Sequence, residues 1–166
     1  MYTDLVRQLQ KTLRNLDAIL GKAQKNAEAR GFPVDNFMTQ RLAPDMLPFP
    51  RQVQIACDHA KNCAAAVAGV ETPKFPDEEK SVAELRERIA KTLAFIDGLS
   101  FGDADANAVV KVPNPPGKAM RLHDAVYSRW TPNFFFHASM AYAILRAGGV
   151  DVGKRDWLGE LALFDA

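Results

Sequence analysis

Only two cysteines and three histidines occur among the 166 residues, so thiol, imidazole or metal chemistry has few places to reside. Cys57 and Cys63 stand six residues apart in one helical stretch. At about 1.5 Å rise per residue their Cα atoms lie about 9 Å apart, beyond disulfide reach. Neither belongs to a C-x-x-C pair or adjoins a clear cationic activator, so both are expected to be small, inert core residues. An excess of one charge is lacking too: 21 basic residues face 20 acidic ones, a net charge of +1. That balance argues against a nucleic-acid-binding surface and against a polybasic membrane anchor. The longest uncharged run, residues 130 to 145, spans 16 positions, short of the roughly 18 needed to cross a bilayer. The start, MYTDLVRQLQ, carries Asp4 and Arg7 where a secretory signal would be apolar, and no N-x-S/T sequon occurs. A cytoplasmic protein is the expectation.

Motifs of common enzyme classes are missing as well. The Gly-Lys pairs at Gly21, Gly117 and Gly153 are followed by neither Ser nor Thr and lack the upstream glycine of a phosphate loop. No G-x-S-x-G surrounds Ser81, Ser100, Ser128 or Ser139, which leaves a serine hydrolase without support.

What is present is an ordinary globular composition, 48% hydrophobic and 25% charged, with apolar residues at helical spacing. A chain of this length can bury roughly 70% of its unfolded surface without disulfides or a structural metal. One domain over residues 1–166 is the economical reading. Leu5, Leu9, Leu13, Leu16, Leu20, Ala23 and Ala27 form one stripe on a first helix that stops at Gly31-Phe32-Pro33. Residues 34 to 43 have room for a short helical turn before Pro44, Pro48 and Pro50. A second helix becomes regular near Arg51 and runs to about Gly69. Ser81 and Glu84 form a capping box that opens a third helix, continued by Leu85, Ile89, Leu93 and Ile96 to Gly98.

The rhythm breaks between residues 99 and 123. Alternation around Val110 and Val112, the turn Asn114-Pro115-Pro116-Gly117, then Met120 and Leu122 suit a short β-hairpin. A fourth helix starts near His123, kinks or restarts at Thr131-Pro132 as an N-cap with a first-position proline, and ends at Gly148-Gly149. Four amphipathic helices with this insertion define an all-α four-helix bundle. Residues 1–43 carry net +3 and residues 70–107 net −4, read as solvated outer faces that attract mildly.

His59 falls in the middle of the second helix and His137 in the middle of the fourth. Facing helices can bring such a pair to one interior site, where neutral imidazoles suit zinc, nickel or iron. Asn133 lies four residues before His137, on the same helical face. Asp58 adjoins His59 as an orienting group or a surface acid. Asp45 is read first as a helix-start cap and second as a pocket contributor. Phe134, Phe135 and Phe136 are consecutive and wrap around the helix, which suits core and interface packing. The apolar run from Phe134 to Tyr142, with the alanine-rich second helix, leads to the expectation of a homodimer formed through bundle helices.

These residues also carry a resemblance. The stretch TPNFFFHASMAYAILRAGG resembles the last helix of the DinB/YfiT-like four-helix bundle superfamily, in which a mid-helix histidine stands nine residues before the arginine of a Leu-Arg pair. His137 and Leu145-Arg146 have that spacing. Within the superfamily the chain resembles a bacterial family of domains of unknown function, through RLAPDMLPFPRQVQIACDHA, PNFFFHASMAYAILR and GKRDWLG. The resemblance implies a metal site built from one histidine of the second helix and an H-x-x-x-H pair of the fourth. His59 and His137 match two of these positions, and Asn133 stands where the third histidine belongs. An amide oxygen is a poor third ligand for zinc or nickel. The expectation is therefore a degenerate polar pocket of His59, Asn133, His137, Asp58 and Asp45. It would bind a small ligand or act structurally, with any zinc or nickel held weakly on His59 and His137. The alternative is a metal-dependent thiol transferase or hydrolase using the same two histidines.

Overall fold

The computed structural model describes residues 2–112 and 115–164. Four long helices make up most of it: α1 (Tyr2–Arg30), α2 (Phe49–Ala68), α3 (Val82–Asp97) and α5 (Thr131–Ala147). The short helices α4 (Leu122–Asp124) and α6 (Lys154–Leu158) flank the last of them. The apolar stripe of α1 is wholly inside, with Leu9, Leu13, Leu16 and Leu20 fully buried. Helix α2 lies at the centre and packs on α5, α3 and α1. Its Ala56, Ala60 and Ala64 are fully buried and small enough to let the neighbouring helices approach closely. No helix among the described residues is long and apolar enough to cross a membrane.

The ends of these helices follow local chemistry. Pro50 falls in the first turn of α2, where its missing N–H costs nothing, and Gly69 closes the helix in a left-handed conformation with φ of 70°. Ser81 Oγ accepts from Glu84 N at 3.1 Å and caps α3. The reciprocal half of the expected capping box shifts by one residue, since the Glu84 carboxylate accepts from Lys80 N rather than from Ser81 N. Val82 N donates instead to Asp35 Oδ1 at 2.8 Å, from the 3₁₀ turn Val34–Thr39.

Strands β1 (Val109–Val112) and β2 (Lys118–Arg121) form the antiparallel hairpin, with Val110 opposite Met120. Asn114 of its expected turn lies outside the described residues. The hairpin leads into α4, and of the kink or restart expected at Thr131-Pro132 the restart with an N-cap does not occur. Residues Ala125–Trp130 form a π-helical stretch that runs directly into α5. Trp130 and Thr131 keep right-handed helical dihedrals, and Thr131 N bonds back five residues to Val126 O. The wider turn absorbs the proline without a cap, and Thr131 Oγ1 is buried with no hydrogen-bond partner.

Charge distribution takes a more specific form than mild attraction between faces. Arg14 pairs with Asp97 and Arg86 with Asp17, joining α1 to α3 in both polarities. The larger feature is Arg88 of α3, whose side chain is 1% exposed. Its guanidinium meets Asp58 at 3.0 Å, Asp77 at 2.9 Å, Glu79 at 2.9 Å and the Pro76 carbonyl at 2.9 Å. This network fastens the irregular segment between α2 and α3 to both helices. Burial pushes the Glu79 carboxyl up, but hydrogen bonds from Arg88 and Gln54 outweigh it and hold Glu79 below its ordinary value. Cys57 and Cys63 are free and buried, and burial pushes each thiol up to about 12.

Candidate functional site

Helices α2 and α5 bring His59 and His137 together with ring centroids 6.3 Å apart and planes within 11° of parallel. Each imidazole is half-buried. His137 is fixed by a chain of two hydrogen bonds. Gln52, 1% exposed and two helical turns before His59, donates through Nε2 to the Leu47 carbonyl at 2.9 Å. Its Oε1 is thereby left to face His137 Nδ1 at 2.8 Å. A carboxamide oxygen only accepts, so His137 carries its proton on Nδ1 and presents the Nε2 lone pair.

His59 lacks such support, and its Nδ1 is buried with no partner. Burial lowers its pKa to about 4, assisted by His137 and Arg129 and opposed by Asp58. His137 is lowered too, first by burial and then by the charge of Arg51. Both rings are neutral at neutral pH, the form that binds a metal or takes a hydrogen bond from a ligand.

Asn133 is on the same side of α5, but its amide is engaged: Nδ2 donates to the Arg129 carbonyl at 2.6 Å, across the junction with the π-helical stretch. Asp58 turns away from the imidazoles. Its Oδ1 meets Arg88 and Lys61, each at 3.0 Å, so it belongs to the Arg88 network and makes no hydrogen bond to His59. Asp45 is exposed on a turn. Helix α2 begins after Pro48 with no side-chain cap, so the expected capping role of Asp45 is not realised: Pro48, three residues later, occupies the cap position.

The donor set therefore does not fit a closed three-nitrogen metal site. Among the described residues, no three His, Cys, Asp or Glu side chains are placed to hold a metal ion. Two residues that sequence reasoning passed over complete the site. Gln52 shares the buried face of α2 with His59 at a spacing of seven, a signal available in the sequence. Arg129 stands four residues before Asn133, in a stretch whose π-helical winding no spacing rule announces.

The fold and these motifs are those of a helical-bundle family. The chain belongs to the family described as a domain of unknown function, DUF1993, which it matches over residues 1–158. It is also similar to a DinB family member protein from Shewanella denitrificans, known from a crystal structure at 1.83 Å resolution. The identity is 40%, the TM-score 0.89, and the match covers 97% of this chain and 93% of that one. No curated protein matches.

Proposed function

We propose that this protein is a small-ligand-binding member of the DinB-like helical bundles, using a degenerate metal-site position as a polar pocket. The observation that carries this reading is the pairing of two neutral imidazoles, one locked by Gln52, beside an Asn133 amide already committed to the Arg129 carbonyl. Orienting hydrogen bonds of the Gln52 kind accompany ligating histidines, so the geometry retains half of a metal site's support without its third nitrogen. Any zinc or nickel is held weakly. Reduced, buried Cys57 and Cys63 support a cytoplasmic setting. Phe136, 52% exposed, and the partly buried Met140 one turn on give α5 an apolar outer strip, which supports a homodimer formed through bundle helices.

Calorimetric titration of untagged protein with zinc and with nickel tests the reading. Weak or undetectable binding is expected, and Asn133→His should raise affinity by about tenfold, about 1.4 kcal/mol, by adding an imidazole on the face of His137. His59→Ala in that background should reverse the gain. Tight stoichiometric metal in the unmodified protein would overturn the reading in favour of a metal-dependent enzyme.

A further inference from the structure

The Arg129 carbonyl holds the Asn133 amide, but the guanidinium of the same residue has no partner at the site among the described residues. Its Nε is buried without an acceptor, and no carboxylate among the described residues pairs with its guanidinium. Arg88 offers the contrast: its Nε is also unmatched, but three carboxylates neutralise its charge. His59 Nδ1 and Thr131 Oγ1 are buried and unmatched as well. Among the described residues, three of the five buried side-chain atoms without partners thus come from the histidine pair and the adjoining π-to-α junction. Each such atom costs about 1–3 kcal/mol when nothing binds it. Of these atoms Arg129 Nε can only donate, so the partner that would satisfy it is an acceptor.

The sign of the missing partner follows from charge. Arg129 acts on His59 and Arg51 on His137, both opposing protonation. Arg51 already meets Asp77 and Gln54, so Arg129 is the cation left without a carboxylate beside the two neutral rings among the described residues, and it disfavours a metal ion and attracts an anion. The guanidinium edge formed by Nε and one Nη matches a pair of oxygens on a single carboxylate or phosphate group. His137 adds a second requirement, because its Nε2 presents a lone pair and accepts a hydrogen bond.

We propose that this pocket, taken as the ligand site argued above, binds a small oxyanion on the Arg129 guanidinium, the same ligand donating an O–H, N–H or S–H to His137 Nε2. Carboxylate and phosphate share the chemistry that Arg129 recognises. The occupant is thus a hydroxylated, aminated or thiol-bearing small acid rather than a neutral or cationic compound.

The test uses acetate, glycolate, inorganic phosphate and ethylene glycol as probes. The Arg129 Nε–H and the imidazole nitrogens of His59 and His137 are followed by NMR at constant ionic strength. Saturable shifts at all three residues are expected with glycolate, which should bind several-fold more tightly than acetate because only glycolate carries the hydroxyl. The stronger of acetate and phosphate identifies the acid type. Arg129→Gln should weaken anion binding by about tenfold or more, and Arg129→Lys, which keeps the charge without the fork, by less. Should Arg129→Gln not fold, the lysine variant carries the comparison. Ethylene glycol shifting the histidines while no anion moves Arg129 would overturn the oxyanion assignment and leave the ligand pocket standing. No shift at either histidine with any probe would overturn both.

Discussion

Acidification should destabilise the fold through His59 well before its carboxylates are protonated. In the unfolded chain His59 takes up a proton near pH 6.5, whereas burial in the fold lowers that value to about 4. A depressed folded-state pKa gives stability that is complete above 6.5 and is lost as pH falls toward 4, because only the unfolded state gains the proton. At 1.36 kcal/mol per pKa unit, the loss is about 3 kcal/mol by pH 4. That is a large part of the roughly 5–15 kcal/mol holding a typical domain together. His137 is shifted in the same direction and adds to the slope. Gln has no proton to gain, so His59→Gln should flatten the dependence between pH 6.5 and 5. Urea unfolding midpoints from pH 8 to 5, at fixed ionic strength, measure this for both proteins. Parallel losses in the wild type and in His59→Gln across that window would refute the reasoning.

Arg88→Met should cost about 3 kcal/mol, the lower end for breaking a buried ion pair, because Asp58 and Asp77 keep Lys61 and Arg51 and remain partly solvated. A melting temperature lower by about 6–12 °C is expected, with much of it restored by adding Glu79→Gln; a drop under about 2 °C would contradict the network's role. Glu79, held below its ordinary value, contributes stability above about pH 4.5 that is lost as pH falls, and Arg88→Met should remove that acid-side slope. Sedimentation at tens of micromolar should show a dimer, and a monomer there, roughly tenfold above a micromolar dissociation constant, would count against the proposed homodimer.

The long helices were legible in the sequence because Leu9, Leu13, Leu16 and Leu20 on α1, and Leu85 and Ile89 on α3, repeat the period of a helix with one buried face. Proline and glycine marked the bounds of α2 for the same local reasons that shape them in the structure. The hairpin showed through alternation at Val110 and Val112. What escaped depends on partners distant in the chain or on departures from regular geometry. Thr131-Pro132 carries the signature of a helix start, yet the upstream segment is held against the bundle by Trp130 and Val126 and continues as a π-helical turn. Helix α6 is five residues long, too short for periodicity to reveal.

At the site, residue type singled out His59 and His137 because histidine is scarce and each lies mid-helix. Their surroundings were harder to see. Asp58 neighbours His59 in sequence, but successive residues on a helix point about 100° apart, and Asp58 is turned toward Arg88 on another helix. Gln52 matters through one carbonyl, that of Leu47, which fixes which end of its amide faces His137. Such a relay is a property of three-dimensional packing.

The claim that His59 and His137 form an open, neutral pair awaiting a ligand is tested most directly by long-range nitrogen–proton NMR of the two imidazoles at pH 7. Both rings should be uncharged, with the His137 proton on Nδ1 and an unprotonated Nε2. A charged imidazole at either position, or a His137 proton on Nε2, would contradict that claim.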